Sequence, residues 1–245
     1  MSAATIEKRA YACLLTTESY YKGALVLMHQ LNKLKSNYSL ICIINSNISS
    51  DIKIKLKKAN IILKEIEQLE IPDYIYTQNK EKGFPHWSYG YEKIYLHTLT
   101  DWDKIIYLDL DLLLLKNIDF LFDFDFPFAP FNFTSDNFCS GLLGIYPNLN
   151  DYIILKEQLF NCFKNGEYIT DQQLLNKFYK NYINFLDNSY NVYSSIFHLY
   201  MNEKEWVIIH FNDIIKPFCD NHNIILNNKY YKIYYELIKE IEEND

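Results

Sequence analysis

Residues 103–119, DKIIYLDLDLLLLKNID, form the most apolar stretch of the chain, and two aspartates, Asp109 and Asp111, interrupt it. The run from Asp103 to Leu115 reads as a core β-strand, because a continuous Ile/Leu run suits a strand covered on both faces. On an extended segment, positions i and i+2 face the same side, so the two carboxylates are expected to converge. Burying one unpaired carboxylate costs several kcal/mol, and a second like charge beside it adds to that cost. Something must neutralise the pair. One reading is a Lys or Arg partner, or a turn that already carries the second Asp to water. The other is a hard divalent cation, Mg²⁺ or Mn²⁺, held at the C-terminal end of a strand, where open α/β sheets bind ligands.

Toward the N-terminus, short apolar runs alternate with helical patterns, the signature of β-α-β units on a largely parallel sheet. Tyr11–Thr16 reads as a strand, 20–34 as a helix with Leu25, Met28, Leu31 and Leu34 on one stripe, and Ser39–Asn45 as a buried strand. A Lys-rich helix over 49–59, a strand over 60–66 and a helix over 89–99 precede the aspartate run. Beyond it, 126–131, 138–146 and 206–211 read as strands, while 151–163, 170–180 and 228–242 read as helices. No repeat or Ser/Gly/Pro linker divides the sequence. The expectation is a single α/β domain over 1–245, with a nucleotide-binding half at 8–115, a second half at 116–220 and a C-terminal helix at 221–245.

Composition narrows the function classes. The chain has 245 residues, 49% of them hydrophobic, and Gly and Pro number only 6 each, which excludes collagen-like and low-complexity readings. With 24 Lys+Arg against 31 Asp+Glu, the net charge of −7 offers no footprint for a phosphate backbone, so nucleic acid is not an expected partner. Tyr 22 and Phe 16 accompany many Ile, Asn and Lys, a mix that reads as coding bias before chemistry. Cys13, Cys42, Cys139, Cys162 and Cys219 are scattered without CxxC pairing, which argues against a zinc site or a disulfide framework. No segment supplies the roughly 18 uninterrupted apolar residues of a membrane helix, and the N-terminal apolar stretch is too short for a signal peptide. A cytoplasmic protein is therefore expected. The sequons at Asn37, Asn47 and Asn132 are frequent by chance in so Asn-rich a sequence.

A second apolar run, Trp206–Phe211, contains His210, with Lys216 following it. A lone histidine in such a run is usually a hydrogen-bonded core residue. Beside two carboxylates, a neutral imidazole completes a three-ligand set for Mn²⁺, and Lys216 is spaced to meet an anion bridging that ion.

Six segments in order, LTTESYYKGALVL (15–27), YEKIYLHTL (91–99), YLDLDLLLLKNIDFLF (107–122), CSGLLGIYPN (139–148), TDQQLLNKF (170–178) and HFNDIIKPF (210–218), resemble glycosyltransferase family 8, the glycogenin and galactinol synthase group. The resemblance implies a GT-A fold, a Rossmann-like sheet of mostly parallel central strands flanked by helices. It also implies transfer of a hexose from a UDP-sugar with retention of configuration, dependent on Mn²⁺ or Mg²⁺, UDP-glucose being favoured over UDP-galactose. By the same resemblance Asp109, Asp111 and His210 hold the metal. Leu15, Thr16, Thr17 and one of Tyr20 or Tyr21 cradle the uridine, Leu110, Ser140 and Gly141 contact the donor, and Lys93 lies near its sugar. Lys216 meets the diphosphate, and Asp171 and Gln172 lie at the reactive face of the sugar.

Three positions depart from the family pattern: Cys139 replaces an Asn, Asp213 a Gly and Phe218 a Trp. Asp213 is expected to bring a carboxylate near the diphosphate. Two alternatives stay open, a nucleotide-sugar-binding protein with impaired catalysis and a metal-dependent phosphohydrolase; the second lacks a Gly-rich loop. The acceptor has no motif; the pattern does not support self-glycosylation, although Tyr193 and Tyr200 leave it open. The apolar face of the C-terminal helix either packs back on the domain or forms a homodimer contact.

Overall fold

The apolar run around the aspartates is not one strand. A computed structural model describes residues 7–132, 137–200, 202–213, 216–218 and 228–243, and in it the run divides into β4 (Lys104–Leu108) and β5 (Leu112–Leu114). The two belong to different sheets, and Asp109-Leu110-Asp111 is the link between them. The carboxylates therefore converge because the backbone turns there, not through strand parity. The division has a cause on α1 (Tyr21–Lys33), where buried Gln30 donates to the Leu112 carbonyl at 3.3 Å and accepts from the Leu114 amide at 2.6 Å. That side chain satisfies one edge of β5, and β10 (Ile208–His210) pairs antiparallel with the other.

The larger sheet adds β1 (Arg9–Leu15), β2 (Ser39–Ile44), β3 (Ile62–Glu65), β6 (Phe128–Pro130), β7 (Leu142–Ile145) and β8 (Asn184–Leu186), in the order β3-β2-β1-β4-β7-β6-β8. Pairing is parallel from β3 to β4 and again between β6 and β8, while β7 runs antiparallel to both neighbours. The alternation of β1 sorts its side chains into two layers. Tyr11, Cys13 and Leu15 enter one core cluster with α1 and α2 (Ser50–Lys58), whereas Ala10, Ala12 and Leu14 enter the other with α4 (Leu149–Lys164) and α5 (Asp171–Tyr179).

The smaller sheet, β5-β10-β9 with β9 at Val192–Tyr193, supports a third cluster closed by α6 (Lys229–Glu242). Tyr230, Tyr231, Tyr234, Leu237 and Ile238 of α6 are buried against Val26, Phe211 and Phe218, so the apolar face of this helix packs back on its own chain. Ion pairs from Lys22 to Glu242 and Lys33 to Glu240 line the seam, and His29 Nε2 lies 2.6 Å from Glu240 Oε2.

Two further expectations change. The segment read as a helix over 89–99 is the 3₁₀ helix Tyr91–Thr98, preceded by another at Pro85–Tyr89, and residues 91–97 are all buried. Over eight residues a period of 3.0 and one of 3.6 mark nearly the same apolar positions. Helix α3 (Asp73–Glu81) was not expected at all, since only Ile75 and Asn79 of it are buried. Cys13, Cys42, Cys139 and Cys162 are buried free thiols, and Cys219 lies outside the described residues. No helix among the described residues is long and apolar enough to cross a membrane.

Candidate active site

The ends of β1, β4 and β10 and the start of α5 meet around a cleft of ≈ 440 Å³. Its floor is the link between the two sheets. The Asp109 amide donates to the Gly141 carbonyl at 2.8 Å, and the Phe211 amide donates to the Asp111 carbonyl at 3.0 Å, so each aspartate is tied to a neighbouring strand end. One ligand atom each from Asp109, Asp111 and His210 lies within 4.8 Å of the other two.

His210 is aimed by what holds its far side. Nδ1 lies 2.8 Å from Asn191 Oδ1, and Nε2 lies 3.4 Å from Asp111 Oδ1. In the neutral ring this bond keeps the proton on Nδ1 and turns the Nε2 lone pair toward the carboxylates, the arrangement of a metal-ligating histidine. Two carboxylates and one imidazole suit Mn²⁺ or Mg²⁺, so the residues present fit such an ion. Gly141 makes the approach feasible, because a Cβ there would stand 2.8 Å from His210 Cε1 and 3.0 Å from Asp109 Oδ2.

Two buried lysines balance the acids. Lys93 Nζ is 3.1 Å from Asp109 Oδ1 and 2.9 Å from Asp171 Oδ2, and it donates to Ser140 Oγ at 3.3 Å. Lys216 Nζ is 2.7 Å from Asp111 Oδ2 and donates to the Phe211 carbonyl at 3.0 Å. Burial alone would raise the Asp111 pKa; Lys216, then His210, outweigh it and hold the carboxyl well below its usual range. Burial likewise pulls Lys93 down, and Asp109 and Asp171 more than reverse it. For His210 the attraction of Asp111 overcomes burial and lifts the ring to about 10. These lysines answer the neutralisation question raised by the sequence with half of each alternative: Asp111 sits in a turn and has a lysine partner, yet it is buried beside the other two ligand atoms.

Asp171 and Gln172 open α5. Thr170 caps the helix by accepting from the Gln173 amide, while the Gln173 side chain accepts from the Thr170 amide, a capping box that fixes the first turn. Gln172 Oε1 accepts from the Ser140 amide at 3.2 Å, and Gly90 lets the Asp171 carboxylate approach to 3.1 Å of where a Cβ would be.

Thr16, Thr17, Tyr20, Lys93, Asp109, Leu110, Asp111, Ser140, Asp171, Gln172, His210 and Lys216 all line the cleft. Leu15, Tyr21 and Gly141 do not. The Leu15 side chain is wholly buried in the α1 layer, and strand alternation turns Leu14 and Thr16 to the cleft instead. Tyr21, as the first residue of α1, borders a separate small groove with Lys55 and Ile241, so of the two tyrosines only Tyr20 borders the cleft. Asp213 is also placed differently from its expectation: it is absent from the lining, and its carboxylate accepts from Ser194 Oγ at 2.6 Å and Tyr231 Oη at 3.3 Å.

Three contributors went unread in the sequence. Tyr107 Oη donates to Asp109 Oδ1 at 2.5 Å; its spacing two residues before Asp109 was the available signal. Asn191 has no sequence signal. The aromatic wall of Phe84, Trp87 and Tyr89 follows α3, which itself was missed.

The model for "Glycosyl transferase family 8" matches residues 12–141. Human glycogenin-2 is 28% identical over 233 residues, covering 89% of this chain and 45% of the human protein. Galactinol synthase 2 of Arabidopsis thaliana is 27% identical over 239 residues, covering 92% of this chain and 67% of that one. The chain thus spans about half the length of the human relative. Among solved structures, the galactosyltransferase LgtC, in complex with donor and acceptor sugar analogues, superposes with a TM-score of 0.70 at 15% identity, over 94% of this chain and 95% of that one. That likeness establishes the GT-A fold. Because the family match covers more than half of the 245 residues and includes Lys93, both aspartates and Gly141, the chain belongs to glycosyltransferase family 8.

Proposed function

We propose that the chain is a metal-dependent glycosyltransferase that moves a hexose from a UDP-sugar to an acceptor hydroxyl with retention of anomeric configuration. The carrying observation is the convergence in one cleft of Asp109, Asp111 and His210 with Lys216 on one side and Lys93 and Asp171 on the other. The three ligands would hold Mn²⁺, or Mg²⁺, which when bound supplies a Lewis-acid charge to the departing diphosphate. Lys216 offers a second, fixed cation to the same phosphates, and leaving-group stabilisation is the main catalytic contribution of the protein. Asp171, held by Lys93, and Gln172 would face the donor sugar. Thr16, Thr17, Tyr20 and Leu14 would form the wall for the uridine, and Leu15 would take part through its backbone alone.

The charges also support a neutral hexose. Among the described residues of the lining, Lys93 and Lys216 are the only lysines or arginines; Lys93 is held between Asp109 and Asp171 and Lys216 is assigned to the diphosphate, so neither is left over for a C6 carboxylate. UDP-glucose and UDP-galactose therefore fit better than a UDP-uronate. UDP release from a panel of UDP-sugars, with Mn²⁺ and with EDTA, tests the reading. Metal-dependent release from one neutral UDP-hexose, and little from UDP-glucuronate, is expected. No release from any donor, with Mn²⁺ and UDP still bound, would assign the chain to nucleotide-sugar binding without catalysis.

A further inference from the structure

The metal reading makes no use of α6, yet this helix reaches the link that carries both aspartates. Tyr234 is fully buried, and its hydroxyl donates to the Leu110 carbonyl at 3.1 Å. Leu110 is the middle residue of Asp109-Leu110-Asp111. Gly23 of α1 leaves that carbonyl just enough room, since a Cβ there would stand 2.7 Å from it. Two helices thus approach the same carbonyl. A buried carbonyl needs a donor, and the Tyr234 phenol is the one that fills this role.

The same ring touches the other two parts of the site. Phe211, next to His210, packs edge-on against Tyr234 with ring centroids 5.5 Å apart, and Phe218, two residues after Lys216, packs at 6.4 Å. One side chain therefore contacts the link, the strand that presents the imidazole and the segment that presents the lysine.

We propose that Tyr234 is a positioning residue of the metal site: its hydroxyl fixes the Leu110 peptide and so sets the separation of the Asp109 and Asp111 carboxylates. That carbonyl belongs to the peptide joining Leu110 to Asp111, so its rotation would move the Asp111 carboxylate relative to Asp109, whose amide is held by the Gly141 carbonyl. The proposal rests on the metal reading given above.

Mn²⁺ titrated into the full chain with UDP present, followed by the electron-paramagnetic-resonance signal of the free ion against a protein-free blank, tests it. Tyr234→Phe removes one oxygen and keeps the ring. Its Mn²⁺ affinity is expected to fall about tenfold, as for loss of an outer-shell partner, with near-parental turnover restored at saturating metal. Tyr231→Phe, on the same helix, loses a bond to Asp213 instead and is expected to keep Mn²⁺ affinity within about twofold, the resolution of such a titration set against that tenfold loss. Parental affinity in Tyr234→Phe, or an equal loss in both variants, would overturn the assignment. A Tyr234→Phe chain that does not fold would give the phenol a general stabilising role and overturn it too. No Mn²⁺ uptake by the parent protein would instead remove the metal reading beneath it.

Discussion

Gly141 shows how little freedom the site leaves to a single residue. Its missing Cβ is what lets Asp109 and His210 come together across the end of β7, at distances no side chain could share. Cys139, two residues earlier, has its Sγ 3.7 Å from His210 Nδ1, on the side already served by Asn191. Burial would raise that thiol, and the contact with His210 more than compensates, so its pKa lies below the usual value. A methyl at 141 has nowhere to go except into the ring or the carboxylate. Gly141→Ala is therefore expected to weaken Mn²⁺ binding and sugar transfer by on the order of 10–100-fold while the sheet around β7 still forms. Calorimetric metal titration together with far-ultraviolet circular dichroism would check both halves; undiminished affinity would mean that the three groups do not share an ion.

At the scale of elements, the 3₁₀ helix Tyr91–Thr98 buries an acid and two bases within six residues, Glu92, Lys93 and His97. Lys93 is matched by two acids, but Glu92 is not. Burial pushes its carboxyl from the usual 4.5 to about 7, against the opposing pull of the Glu92 and Leu69 backbone groups. Held above its ordinary value, this acid binds its proton more tightly folded than unfolded. Its stabilising contribution is complete below pH 4.5, declines as pH rises toward 7, and is gone above that. His97, lowered to about 4 by burial, works in the other direction, losing stability as pH falls from 6.5 toward 4. Comparing Glu92→Gln with its parent cancels the histidine. The variant is expected to be more stable by about 3 kcal/mol at pH 8 and equal at pH 4, read from denaturant unfolding at the two pH values. A constant difference would locate the burden elsewhere.

The same element marks where the sequence stops being readable. Apolar spacing located α1, α2 and α4 because each has a covered face and an open one, and β1 and β2 because a short continuous apolar run suits a strand covered on both faces. A segment buried all round, like Tyr91–Thr98, has no such contrast, and α3, with two buried residues, has almost none. The aspartates stood out because charge in an apolar run demands an explanation. The turn between them did not, since it depends on Gln30, about eighty residues away, taking the place of a strand on β5. Asp213 failed for the opposite reason: local spacing could not show that Ser194 and Tyr231 would claim its carboxylate.

For the molecule as a whole, the site belongs to neither sheet alone. Asp109 ends the large sheet, His210 comes from the small one, and the family match at 12–141 stops before Asp171, His210 and Lys216. The small sheet has only three strands, and two or three residues in each, so it depends on what covers it. That cover is α6. Its five buried side chains each contribute about 1.5–3 kcal/mol by leaving water, which together is on the order of 10 kcal/mol and comparable to the entire stability of a typical domain. A chain shortened after Asn227 would expose Val26, Phe211 and Phe218 and lose the grip on Leu110. It is expected to aggregate or to lose its cooperative melt, as seen by size-exclusion chromatography with light scattering and by thermal unfolding. A monodisperse shortened chain melting at the parental temperature would show that the small sheet, and the histidine it carries, stand without the helix.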